Sequence, residues 1–380
     1  MEFKKRYVIN HAAPAKHRNV IVLMDGTWND ESGKDGNDIV TNIVKFYRIL
    51  QPDSEHQISR YFRGVGNDED NGVLGRLTQG AFGSGERNIR EHAYATVCKE
   101  YQPGDRLFIL GFSRGAATAR MLASDLHKKG IPDAITIETK SHMNRSTRNI
   151  EQRFRRYASE GEQHPVNNIF LGVWDTVYAF GIPVKLLGIP FGKYNLFQDQ
   201  FVSPNVDKAV HCVAVDETRD PFKPVLMNHD SERIHEVWFS GVHSDVGGGY
   251  KEDFLGRLTL NYMMKQIDLY CTDKNIPHIN FQSDRRTIYT DTSSQKVVFH
   301  FHGLGWKKSI RSIHVQKDNE PNHQLPPLIH KSVIDHHKNS DTFSLSIKKR
   351  WFKDDINRLN RVVYNPPNIK SLKRKFTVVE

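Results

Sequence analysis

The chain has 380 residues, room for one large α/β domain or two average ones, and 10% aromatics, with 21 Phe and 5 Trp, to build a core. Three cysteines far apart and in no C-x-x-C spacing exclude a disulfide framework and a cysteine metal site, and fit a reducing compartment. A net charge of +10 favours anionic partners such as phospholipid headgroups, nucleic acid or acidic proteins, but names no substrate.

Met1 to Tyr7 is charged and is not followed by an apolar run, so no Sec signal is expected. No apolar stretch approaches the roughly 20 residues that span a bilayer, so the protein is expected to begin life cytosolic and soluble. Asn19 to Met24 is a β-branched apolar run broken by Asp25-Gly26-Thr27-Trp28-Asn29, which predicts a buried strand ending in a turn. From Thr41 to Leu50, Ile43, Val44, Tyr47 and Leu50 recur at helical spacing, with Thr41 placed to cap. Gly64 to Gly85 is dense in glycine and predicts a loop. No Walker lysine and no strand followed by G-x-G-x-x-G marks it as a nucleotide site. Glu86 to Tyr101 reads as a helix with Ile89, Ala93 and Val97 on one face.

The next stretch carries the chemistry. Arg106 to Leu110 predicts a buried strand, Gly111-Phe112-Ser113-Arg114-Gly115 a sharp bend, and Ala116 to Lys129 a helix rich in small residues. G-x-S-x-G is weak alone, but a strand entering it and a helix leaving it are what a nucleophile elbow requires. The glycines leave room for a strained serine, and the helix dipole lies beneath it. In that geometry the Arg114 N–H points at a developing oxyanion. An ordinary β–α turn with a capping serine is the bland alternative.

A serine nucleophile needs a base and the base an orienting acid, in the chain order Ser, Asp or Glu, His. Strands expected over Asn168 to Trp174 and Glu236 to Val242 end at Asp175 and just before His243 respectively, the second on a loop with Gly247, Gly248 and Gly249. Ser113, Asp175 and His243 are therefore the expected triad. Asp175 has a turn or capping role as its rival, Asp245 is the alternative acid, and His330 is the alternative base. Strands alternating with helices predict an α/β fold with a mainly parallel sheet covered on both faces. No repeat or linker marks a boundary, so a single domain over 1–380 is expected, with 130–166 and 252–300 as candidate lid or insertion segments. Arg145, Arg148, Arg153, Arg155 and Arg156 make the first of these basic, and Lys307-Lys308, Lys348-Lys349-Arg350 and Lys373-Arg374-Lys375 make the end of the chain basic.

With Met24-Asp25-Gly26-Thr27-Trp28-Asn29, Gly64-Val65-Gly66, Pro103-Gly104-Asp105, the elbow, Leu171 to Val177 and Gly241 to Tyr250, the chain resembles a family of α/β hydrolases. That family includes the first class of bacterial type VI secretion lipase effectors. The resemblance implies an α/β-hydrolase fold with insertions, a Ser-Asp-His triad at Ser113, Asp175 and His243, and a second oxyanion N–H from Thr27. It also implies phospholipase activity of the A type, export by type VI secretion and a cognate immunity protein. Peripheral membrane contact is expected, but no cofactor, metal or nucleic acid. A soluble intracellular esterase or thioesterase, and a binding module on a hydrolase scaffold, stand as the other readings. A metal-dependent phosphohydrolase, suggested by Asp25, His243 and Asp245, lacks an H-E-x-x-H or H-x-H-x-D-H spacing.

Overall fold

The structure, a computed structural model, describes residues 2–13, 17–26, 39–64, 81–143, 149–177, 201–293, 297–302, 308–318, 320–338, 343–348, 361–362, 364–373 and 375–380. Its strands are β1 (Glu2–Val8), β2 (Asn19–Met24), β3 (Gln57–Phe62), β4 (Arg106–Phe112), β5 (Ile131–Met143), β6 (Ile150–His164), β7 (Ile169–Trp174), β8 (Val206–Ala214), β9 (Ile234–Phe239), β10 (Val298–His302), β11 (Val315–Lys317), β12 (Glu320–Asn322), β13 (Leu328–His330), β14 (Phe343–Lys348), β15 (Arg361–Val362) and β16 (Thr377–Val379). Its helices are α1 (Asn42–Ile49), α2 (Ala81–Glu100), α3 (Arg114–Lys129), α4 (His243–Gly247), α5 (Phe254–Asp273), α6 (Ser283–Thr290), α7 (Lys331–Lys338) and α8 (Pro367–Ser371).

Eight strands form one sheet in the order β16-β13-β9-β8-β7-β4-β2-β3, with every neighbouring pair parallel. A parallel sheet is covered on both faces, so its central strands must be apolar throughout, and β2, β4 and β7 are buried almost end to end. Alternate side chains serve opposite faces. Val20, Val22, Leu107 and Ile109 pack with Ala93, Ala119 and Leu122 of α2 and α3, while Ile21, Leu23, Phe108 and Leu110 pack with Phe46, Leu260 and Met263 of α1 and α5. This is the α/β-hydrolase-like layering that the sequence predicts.

The chain runs from β2 outward to β3, returns past β2 to β4, and then continues the other way through β7, β8 and β9. The reversal lies between β2 and β4. The crevice beyond their carboxyl ends is thus the switch point at which open α/β sheets bind ligands, and Ser113 sits directly after β4.

Several boundaries differ from the sequence reading. β4 continues through Gly111 and Phe112 because its pairing with β7 runs on to Trp174. α2 begins at Ala81, which places Gly83 and Gly85 of the expected loop inside a helix; residues 65–80 of that loop lie outside the described residues. Helix interiors disfavour glycine by about 1 kcal/mol each, a cost that the packing of α2 against α3 overrides. β13 and β16 are three residues long, and only their pairing makes them strands.

Within segment 130–166, Ile131–Met143 and Ile150–His164 form the antiparallel pair β5–β6, to which β1 adds in the order β1-β5-β6. Of its basic residues, Arg155 pairs with Glu2, and Arg156 lies 2.5 Å from Glu138. The charge is therefore partly neutralised within this sheet. Arg145 and Arg148 lie outside the described residues. Segment 252–300 contains α5, which covers the main sheet through Leu260, Met263 and Ile267, and the exposed α6. Among the described residues no helix is long and apolar enough to cross a membrane.

Candidate active site

The elbow follows from the residues around it. Ser113 has φ 59° and ψ −123°, a conformation that L residues rarely adopt and that costs on the order of 1–3 kcal/mol. Its neighbours hold it there: the Ser113 N–H donates to Trp174 O at 3.0 Å, and the Ser113 carbonyl accepts from Val177 N at 3.4 Å. Gly115 packs so closely on the carbonyls of Met24 and Asp25 that a Cβ would overlap them. That contact seats the start of α3 on the end of β2. Ser113 precedes α3 but makes no side-chain cap. Its hydroxyl is directed to His243 instead, which removes the capping alternative.

Three strand ends meet here. His243 Nε2 lies 2.8 Å from Ser113 Oγ, and His243 Nδ1 lies 2.6 Å from Asp175 Oδ2; all three residues are buried. Asp175 directly follows β7, with φ 40°. His211 supports this turn. The Thr176 N–H donates to His211 Nε2 at 3.0 Å, so the ring proton sits on Nδ1, from which it donates to Glu236 at 2.8 Å. His243 opens α4 after Gly241, whose φ of 105° favours glycine and whose N–H donates to Asp216 at 2.6 Å.

The imidazole of His243 lies between the rings of Phe112, 4.7 Å away, and Phe222, 4.9 Å away. Burial depresses its pKa below 6.5 by more than the Asp175 carboxylate restores, so the ring is neutral at pH 7 and able to accept a proton. Burial pushes the Asp175 carboxyl up, but the Arg311 guanidinium and the hydrogen bond from His243 outweigh it and hold the group well below the usual carboxylate range. Arg311 is the main counter-charge. Its Nη1 donates to Asp175 Oδ1 at 2.6 Å and its Nη2 to Oδ2 at 2.9 Å, while Nη1 also reaches Ala214 O at 2.7 Å. A fork of this kind fixes both the charge and the plane of the carboxylate.

Sequence reasoning missed Arg311. It sits in a basic stretch indistinguishable from the other basic runs, and only folding brings it to Asp175. Glu217 and Arg219 were missed too. Glu217 accepts from the His243 N–H at 3.3 Å and holds Arg219 at 2.9 and 2.7 Å, and Arg219 stacks at 3.6 Å over the Phe222 ring that abuts His243.

The remaining candidates fall as follows. The Arg114 N–H belongs to the first turn of α3, directly after Ser113. Thr27 lies outside the described residues. The turn leading to it is anchored by Asp25, whose buried carboxylate accepts from Gly26 N at 2.7 Å, Thr41 Oγ1 at 2.9 Å and Tyr61 Oη at 2.8 Å. Asp245 lies 2.5 Å from His300 Nδ1 and accepts from Val242 N, so it serves a neighbouring buried pair. His330 Nδ1 bonds Ser332 Oγ at 2.8 Å, and its ring stacks on Phe239.

Comparison with known proteins places this geometry in context. A family model described as the catalytic domain of type VI secretion phospholipase effectors of the Tle1-like kind matches residues 18–266. The uncharacterized protein YEL023C of Saccharomyces cerevisiae is 29% identical over 241 residues, covering 55% of this chain and 33% of that protein. The chain thus spans about a third of the length of this curated relative. Among solved structures, an uncharacterized protein from Pseudomonas aeruginosa aligns with 18% identity and a TM-score of 0.40, covering 71% of this chain and 47% of the other. The Tle1 effector bound to the VgrG spike of the type VI secretion system aligns with 20% identity and a TM-score of 0.38, covering 63% and 52%. With the family model spanning well over half of its length, the chain belongs to the type VI secretion phospholipase effectors of the Tle1-like family, through their catalytic domain.

Proposed function

We propose that this chain hydrolyses carboxylic ester bonds of phospholipids with Ser113 as nucleophile, His243 as general base and Asp175 as the acid that orients it. The observation that carries this reading is the hydrogen-bonded series from Ser113 Oγ through His243 to Asp175 at the switch point of the sheet. His243 Nε2 takes the hydroxyl proton as Oγ attacks the acyl carbonyl, and Asp175, held by Arg311, stabilises the imidazolium that forms. The Arg114 N–H, joined by that of Thr27, receives the oxyanion. His243 then returns the proton to the departing alcohol, and water releases the acyl group by the same steps.

A fluorophosphonate probe should label the protein once, at Ser113, and labelling should vanish in Ser113→Ala. A wild-type protein that stays unlabelled while folded would remove the nucleophile. The pH dependence follows from the burial of His243. With its folded pKa below the unfolded 6.5, the unfolded chain binds more protons between the two values, so stability and activity both fall as pH drops through that range. The log of kcat/KM for a soluble ester is expected to be flat near pH 7–8, and to fall with unit slope only below pH 6.5. A midpoint above 7 would contradict a neutral, desolvated imidazole.

Membership of the effector family supports delivery by type VI secretion and a cognate immunity protein that blocks the enzyme in its producer. A soluble intracellular esterase or thioesterase using the same three residues is the second reading. Preference for short soluble esters, with no turnover of phospholipid vesicles, would select it.

A further inference from the structure

The turn that carries His243 into the crevice is gripped at three successive amides. The Gly241 N–H donates to Asp216 at 2.6 Å, the Val242 N–H to Asp245 Oδ2 at 2.9 Å and the His243 N–H to Glu217 at 3.3 Å. Burying a carboxylate costs free energy unless a donor or a cation faces it, so each of these acids needs a partner of its own. Arg219 serves Glu217, and Tyr364 Oη donates to Asp216 at 2.9 Å. Asp245 is served by His300. Its Oδ1 lies 2.5 Å from His300 Nδ1, with both side chains 1% exposed, and its Oδ2 accepts from the His300 backbone N–H at 3.4 Å.

The ring of His300 is itself fixed. It stacks on Tyr250 with centroids 3.8 Å apart, and its Nε2 lies 3.5 Å from Glu252 Oε2. Burial lowers the pKa of this ring, but the Asp245 and Glu252 carboxylates outweigh burial and raise it, which favours the imidazolium. A cation held there leaves Asp245 one oxygen for His300 and the other for the turn. His300 stands on β10, in the sheet β10-β14-β15 rather than the main sheet, and beyond the residues 18–266 that the family model matches. A residue from outside the matched region thus completes the support behind His243. Such support matters because a reacting group misplaced by about 1 Å can lose about 10²-fold in rate.

We propose that His300 is a positioning residue for His243: through Asp245 it locks the turn 241–243 and so aims the imidazole at Ser113. The inference rests on the reading of His243 as general base. Its test compares kcat and KM for p-nitrophenyl butyrate, with melting temperatures, in full-length His300→Asn and His300→Leu. His300→Asn keeps an N–H donor where Nδ1 stands, whereas His300→Leu fills much of the same space without one. His300→Leu should lower kcat at least tenfold with KM within twofold of wild type, and His300→Asn should keep kcat within threefold. His300→Gln, whose longer side chain carries its amide past Asp245 towards Glu252, replaces His300→Leu if that protein does not fold, with the same loss expected. A kcat within threefold of wild type in the variant lacking the donor would overturn the proposal, even with a lowered melting temperature. So would an equal loss of kcat in His300→Asn, since ring packing on Tyr250 would then be what counts. His243→Ala separates the two readings: if it kept its turnover the catalytic assignment itself would fail, whereas an inactive His243→Ala beside a fully active His300→Leu would sink the positioning role alone.

Discussion

Ser113→Ala is expected to lower kcat/KM for a p-nitrophenyl butyrate ester by about 10⁴-fold or more while leaving the melting temperature nearly unchanged. The catalytic loss is large because nucleophile, base and acid act as a unit, and what remains comes only from binding and the oxyanion donors. The structural effect is small because alanine keeps the backbone contacts to Trp174 and Val177 and loses one hydrogen bond, to His243, worth about 1 kcal/mol. Residual turnover within tenfold of wild type would show that another group attacks the ester.

Arg311→Met is expected to be damaging in a different way. Asp175 is fully buried, and its ionised state depends on the Arg311 fork more than on the hydrogen bond from His243. Removing the cation leaves a buried carboxylate without its main counter-charge, a change that typically destabilises by about 3–5 kcal/mol. It also lets burial drive the Asp175 pKa upward. The acid-side fall of kcat/KM should then move to higher pH, with kcat reduced and KM for a soluble ester little changed. A double variant distinguishes this from loss of packing: Asp175→Asn added to Arg311→Met removes the stranded charge, and should regain melting temperature without regaining activity. If the double variant melts no higher than the single one, Arg311 is a packing residue rather than a positioning one.

The two predictions differ in how legible their residues are. Ser113 announces itself because an elbow is a local object: five consecutive strand residues, two glycines that permit close approach and a small-residue helix all lie within about 25 positions. Asp175 and His243 were legible for a related reason. Each stands at or near the end of an apolar run, and in a parallel sheet such ends gather at one edge. Thr41 as the cap of α1 was equally local, its side chain accepting from Val44 N at 3.3 Å.

Arg311 could not be found in this way, nor could the pairing of β1 with β5, or the supporting pairs His211–Glu236 and Glu217–Arg219. A charged residue in a basic stretch has no periodicity to betray it, and a solvated lysine run reads the same as one arginine destined for a buried carboxylate. The sequence by itself determined the layered α/β sheet and the three residues whose strand ends converge, because hydrophobic runs and glycine geometry act over short distances. Only the tertiary structure decided which cation neutralises Asp175 and that β1 pairs with β5. Both depend on contacts between segments remote in the chain, where packing and desolvation choose the partner.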